Sequence, residues 1–226
     1  MDHVLDNPAW NALISGNQHL SNGNEQVRFF DKEVSPFVAL KEKSTTNFEM
    51  LHELIVHDSP LLFVSTVETE IPTMWKVLRT MVGIQMVCND PVDQATSGNL
   101  VPLTDEHIPQ MLELTKLTNP GPFAPRTISF GHYMGVFNDE QLVAMAGQRL
   151  NPFNYAEVSA VCTHPDYLGR GYAKQLLQSH INRIKAASQI PFLHVRGDNE
   201  RAISVYKSLG FSARSNVYFY VLQKEK

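Results

Sequence analysis

The run Leu168-Gly-Arg-Gly-Tyr-Ala-Lys174 follows an apolar strand-like segment, 157–163, and leads into an amphipathic one, and that order gives it a chemistry. Gly169 and Gly171 lack a Cβ, so the chain can turn sharply there and present successive N–H groups to a ligand. A helix opening behind Gly171 adds the unpaired N–H groups of its first turn and the positive end of its dipole, which suits a phosphate or pyrophosphate. A bare Gly-Arg-Gly is more often an ordinary turn than a phosphate loop, and neither a full GxGxxG nor a Walker Lys-Ser/Thr follows it, so the neighbours must decide. Of the reactive side chains nearby, Cys162 sits mid-strand without an adjacent base, as a small buried thiol does. His164 and His194 read either as bases or, more ordinarily, as strand-end histidines with one satisfied nitrogen.

The elements that must position these residues are legible in the pattern. A strand at 131–137, a turn at Asn138-Asp-Glu140 and a strand at 142–150 form a hairpin, and a third strand, 157–163, enters the glycine loop. Beyond Gly171, residues Ala173, Leu176, Leu177, His180, Ile181 and Ile184 share one helical face. A short buried strand follows at 191–195, and strand, helix, strand implies a right-handed parallel crossover. Asn199 is placed to cap a last helix with Tyr206 inward, Gly210 suits the left-handed residue after it, and strands near 211–214 and 217–223 close the chain. Upstream, a helix near 104–118 follows the polar stretch 89–99, which reads as a linker. Before that linker come strands at 34–40 and 61–67, a helix capped near Thr46 with Glu49, and a second helix around 74–81. That first lobe carries no nucleophile set, metal cluster or phosphate loop, and reads as scaffold or substrate wall.

The totals bound the answer. Across 226 residues, 43% hydrophobic and 19% charged side chains fit a soluble globular protein and exclude collagen-like, disordered and disulfide-scaffold classes. A net charge of −4 with no basic block offers no general attraction to nucleic acid or to an anionic membrane. Cys88 and Cys162 stand outside any CxxC, which implies a reducing compartment and no bound metal. No basic-then-apolar leader is present and no run approaches the roughly 18 apolar residues of a membrane helix, so a cytoplasmic location is expected.

In element order and motifs, residues 100–226 resemble the GNAT superfamily of acyl-CoA-dependent N-acyltransferases. The superfamily's loop pattern, Gln/Arg-x-x-Gly-x-Gly/Ala, meets Leu168-Gly169-Arg170-Gly171-Tyr172-Ala173; the first position departs, since Leu168 has no guanidinium or amide, and Arg170 is read as supplying phosphate charge instead. The block Asn199-x-x-Ala202-x-x-x-Tyr206-x-x-Leu209-Gly210-Phe211 is similar to the superfamily's C-terminal motif. The phrases at 119–127, 144–147 and 157–165 look like a bacterial branch with an extra N-terminal region, sometimes a degenerate copy of the same architecture.

The resemblance implies a mixed α/β (α+β) fold: a GNAT-like central mixed sheet with flanking helices and splayed parallel strands at 100–226, plus a smaller N-terminal α/β lobe at 1–95. It implies acetyl-CoA as co-substrate, its pantetheine pairing with the backbone of Val161, Cys162 and Thr163 and its pyrophosphate resting on Gly169, Arg170, Gly171, Tyr172, Ala173 and Lys174. Tyr206 is the expected general acid, with a core tyrosine as the alternative; Asn199 caps its helix and contacts the cofactor, or caps alone. An amine of ordinary pKa near ~10.4 must lose a proton, and Glu157 is the expected base beside the acceptor, a strand-end carboxylate being the alternative. Arg126 either holds an acceptor carboxylate or ties down its loop. The implied reaction is direct acetyl transfer to a primary amine of a small molecule or peptide, by a monomer or homodimer; the alternative is a non-catalytic acyl-CoA-binding sensor.

Overall fold

The computed structural model describes residues 3–90 and 98–225, so most of the expected linker at 89–99 lies outside the described residues. After a short helix α1 (Pro8–Leu13), strands β1 (Ser21–Gly23), β2 (Val27–Phe30) and β3 (Phe37–Leu40) pair antiparallel. Helix α2 (Thr45–Leu54) then crosses over to β4 (Leu61–Ser65), which lies parallel to β3. The α2 cap is Ser44, not Thr46: Ser44 holds an extended backbone and its hydroxyl accepts from the Asn47 N–H at 3.3 Å, so the helix starts at Thr45.

The second half repeats the plan. Strand β6 (Val101–Pro102) and helix α3 (Ile108–Thr118) precede an antiparallel meander, β7 (Met134–Asn138), β8 (Gln141–Gln148) and β9 (Tyr155–Thr163). Helix α4 (Tyr172–Ala186) crosses over to β10 (Ile190–Arg196), parallel to β9, as the strand-helix-strand order requires. Asn119 ends α3 in a left-handed conformation, φ 48°, a role asparagine tolerates.

Two strands bind the halves together. The segment expected as a helix at 74–81 is instead strand β5 (Trp75–Val87), and the two expected closing strands are one, β11 (Ser212–Lys224), whose interruption is a bulge between Ala213 and Ser215. Val77, Thr80 and Val82 are β-branched, and pairing with β11 along its whole length satisfies the backbone of β5, so tertiary partners override the helical reading of a short run. The sheet order is β1-β2-β3-β4-β11-β5-β10-β9-β8-β7-β6: a strand of the first half borders β10, and the last strand of the chain borders β4.

Helices cover both faces. Phe48 and Leu51 of α2 pack with Phe63 and Tyr220, and Leu177, Ile181 and Ile184 of α4 pack with Val158 and Leu193 on the same face. Helix α5 (Glu200–Ser208) joins them through Ala202, Val205 and Tyr206. The opposite face carries Trp10 and Leu13 of α1 and Met111 and Leu114 of α3, against Phe37, Met145 and Phe192. Among the described residues no helix is long and apolar enough to cross a membrane.

Candidate active site

Strands β9 and β10 pair only at Tyr155 with Ile190, Ala156 with Pro191 and Glu157 with Phe192, and beyond that point they separate. The cause lies within β9. Between Ser159 and Cys162 it advances three residues while β8 advances two, from Gly147 to Met145, and Ala160 takes up the excess at φ 53°. Such a bulge bends its strand, and here it turns Val161–Thr163 away from β10 and frees their backbone on that side.

The gap opens into a groove of about 470 Å³ on the α4 and α5 face. Its wall includes Val161, Cys162, Thr163, Gly169, Arg170, Gly171, Tyr172, Ala173, Lys174, Asn199 and Tyr206, so residues from three separated stretches converge there. Gly169 and Gly171 hold φ 80° and 81°, a conformation that side chains resist, and a Cβ on either would meet nothing within 4 Å. The need for glycine is therefore conformational, and the loop faces open space. Gly171 caps α4 without any side-chain bond, which leaves the first-turn N–H groups of Tyr172, Ala173 and Lys174 without intrahelical acceptors. The Arg170 guanidinium lies 4.6 Å above the Tyr167 ring, and Leu168 is half exposed at the rim.

On the facing wall, Asn199 Oδ1 accepts from the Ala202 N–H at 3.1 Å and fixes the start of α5. Tyr206 is partly buried against Phe211, and burial pushes its hydroxyl pKa up to about 12, so it holds its proton at neutral pH. Cys162 lies in the α3-side core, and burial raises its thiol to about 11 against the lowering effect of Thr118; it meets the groove as an inert thiol. Tyr167, Leu177, Arg201, Ala202, Val205 and Ser208 also line the groove. Helical spacing carries the signal for Ala202, three residues past Asn199, and for Val205, three past Ala202 and four before Leu209, whereas nothing local marks Tyr167 as a support for Arg170.

Glu157 is placed differently from the expected base. Its carboxylate is fully buried on the opposite face of the sheet and is not on the groove wall. Arg149 grips it with two bonds, 2.9 and 2.6 Å, and His194 Nδ1 donates to it at 2.7 Å. The carboxyl is driven down to about 2 because Arg149, then His194, outweigh the desolvation that would raise it. An acid that strong, with its lone pairs occupied, is a poor proton acceptor near neutrality. His194 Nε2 accepts from Gln85 Nε2 at 3.1 Å, Gln85 Oε1 accepts from Arg214 at 2.8 Å, and Arg214 reaches Asp6. Both His194 nitrogens are thus engaged. Since Glu157 is the last paired residue of β9 and His194 lies just past the fork on β10, this network fastens the two strands where they part. Arg126 is not on the groove wall: its exposed guanidinium lies 3.9 Å from Asp31, and its main-chain N–H donates to the Glu33 carbonyl at 2.8 Å. His164 Nδ1 accepts from the Asp166 N–H at 3.2 Å and caps the turn at Pro165–Tyr167.

A splayed parallel strand pair, a glycine loop on a helix N-terminus and a tyrosine across the groove define an acyltransferase-type architecture, and the comparisons agree. The family model described as FR47-like protein matches residues 133–220. A solved GNAT-family protein from Novosphingobium aromaticivorans is 35% identical, with a TM-score of 0.92, and the match covers 100% of both chains. The chain belongs to the GNAT family of acetyltransferases. Among curated relatives, the N-alpha-acetyltransferase RimI of Mycobacterium tuberculosis is 36% identical over 84 residues, 35% of this chain and 51% of that protein. An uncharacterized protein of Mycobacterium leprae is 40% identical over 87 residues, 37% of this chain and 23% of that one. The match thus spans about half the length of the first and about a quarter of the second.

Proposed function

We infer that the protein transfers an acetyl group from acetyl-CoA to a primary amine, without a covalent enzyme intermediate. The observation that carries this reading is the backbone gap between β9 and β10 opening onto the unpaired N–H groups at the start of α4. Bound acetyl-CoA supplies the thioester carbonyl. Val161 and Thr163 offer main-chain groups to an extended amide-bearing arm, as a strand edge does, and the Gly169–Lys174 backbone suits a pyrophosphate. Arg170, held on Tyr167, adds positive charge at a position where Leu168 has none. Tyr206 Oη keeps a proton at the groove wall and is the group to deliver it to a departing thiolate, while the amine attacks in its neutral form and the proton its nitrogen sheds on forming the amide passes through solvent and restores the phenol. Glu157 acts through the strands it fastens. Cys162, buried and protonated, argues for direct transfer.

RimI, one relative, is an N-alpha-acetyltransferase, which favours an amine of a peptide over that of a small metabolite as the acceptor here. The test is thiol release from acetyl-CoA across a panel of peptides, amino acids and polyamines, with thermal shift in parallel. Acetyl-CoA at ~100 times its dissociation constant adds about 2.7 kcal/mol of stability, and ATP and NAD add none. Binding without thiol release from any amine would leave only the sensor reading standing.

A further inference from the structure

We propose that Arg201, in the first turn of α5, holds the ribose 3′-phosphate of CoA, so that the protein selects acetyl-CoA over its 3′-dephospho form. This rests on the acetyl-CoA reading above and does not require turnover. Strands β9 and β10 run parallel, α4 follows β9 and α5 follows β10, so both helices begin at the end of the sheet where the two strands part. Their first turns flank the mouth of the groove, with Arg170 and Lys174 on the α4 side and Arg201 on the α5 side. Tyr206 lies further along α5 than Arg201, roughly 7–8 Å deeper at the rise of a helix. A ligand with its thioester at Tyr206 therefore has its charged end among these three cations.

Charge sets the groove apart from the rest of the chain. The net charge is −4, yet among the described residues no Asp or Glu lines this groove. The nearby carboxylates are engaged elsewhere: Arg196 takes Asp198 with two bonds, 3.0 and 2.6 Å, Asp166 lies 3.8 Å from His164, and Glu200 opens α5, where the helix dipole favours an anion. Arg201 is exposed and forms no ion pair among the described residues. A cation in a first turn works against the helix dipole, so α4 and α5 gain nothing from Lys174 and Arg201 there. The phosphates of CoA account for both. Its pyrophosphate suits the N–H groups of Gly169–Lys174 with Arg170 and Lys174 beside them, which occupies one wall. Its phosphate monoester, close to −2 at neutral pH, is left for the facing wall, where Arg201 is the cation among the α5 lining residues. The planar guanidinium fork meets phosphate oxygens two at a time.

The test is calorimetry of the whole protein with acetyl-CoA and with 3′-dephospho-acetyl-CoA, which keeps the pyrophosphate and the thioester. The expected result is that acetyl-CoA binds at least about tenfold more tightly, and that Arg201→Gln narrows the ratio to about twofold by weakening acetyl-CoA alone. Arg201→Lys, which keeps the charge without the fork, retains part of the preference. Arg170→Gln weakens both ligands by the same factor, because both carry the pyrophosphate. Equal affinity of the unchanged protein for the two ligands overturns the proposal and leaves the acetyl-CoA reading standing, as does a ratio that survives Arg201→Gln. A preference lost in Lys174→Gln and kept in Arg201→Gln also overturns it, because the monoester then belongs to the α4 wall. If neither ligand binds, the acetyl-CoA reading itself fails and this assignment fails with it.

Discussion

At the scale of single residues, Tyr206 and Glu157 show how surroundings assign a role that residue type leaves open. The Tyr206 hydroxyl, raised to about 12 by burial, remains a donor across the neutral range. Tyr206→Phe therefore keeps acetyl-CoA affinity, measured by calorimetry, and lowers kcat by roughly 10²–10⁴, the usual worth of a positioned acid. For Glu157 the expected outcome is structural. Glu157→Gln leaves Arg149 buried without its countercharge, a loss of about 3–5 kcal/mol in urea unfolding. The sign of the acid response follows from the depressed folded-state pKa. The Glu157 contribution is complete above its ordinary value of 4.5 and is lost as pH falls toward about 2, so the acid limb of stability flattens in Glu157→Gln. A strand-end carboxylate was visible in the sequence; its partners Arg149 and His194, 8 and 37 residues away, were not.

At the scale of elements, the site is made by one bulge and one loop. The glycine loop, the α4 face and the α5 cap are legible because each is local: two glycines, a spacing of three and four, an Asn at the right offset. The bulge is not, since Ala160 at φ 53° carries no residue signal and arises from the mismatch of β9 against β8. Gly171→Val forces a β-branched side chain into a left-handed conformation at the start of α4. Because a Cβ there meets nothing, the variant folds with a loss of about 1–2 kcal/mol, seen by thermal melting, while acetyl-CoA affinity drops at least about tenfold as the loop reshapes. Unchanged affinity in the folded variant would remove the phosphate-loop assignment.

At the scale of the whole molecule, β5 and β11 make the halves interdependent. Gly83 sits between both partners: a Cβ there would stand 2.7 Å from the Val195 carbonyl oxygen and 2.9 Å from the Phe219 ring. Gly83→Val is expected to destabilise by several kcal/mol, on the scale of about 1–3 for overpacking plus broken strand pairing, and to lower one shared unfolding transition followed by Trp10 and Trp75 fluorescence in the first half and by acetyl-CoA protection in the second. Two separated transitions would show that the halves fold alone. By itself the sequence determined the family resemblance, the order of elements from the helix after residue 104 to the last helix, and the glycine loop and Asn199 cap of the groove, because helix faces, caps and glycine loops are set by near neighbours. Only the tertiary structure decided that 75–87 is a strand and that Glu157 fastens the fork. Those outcomes depend on strand pairing and charge partners contributed from distant parts of the chain, and no local pattern encodes which of them will meet.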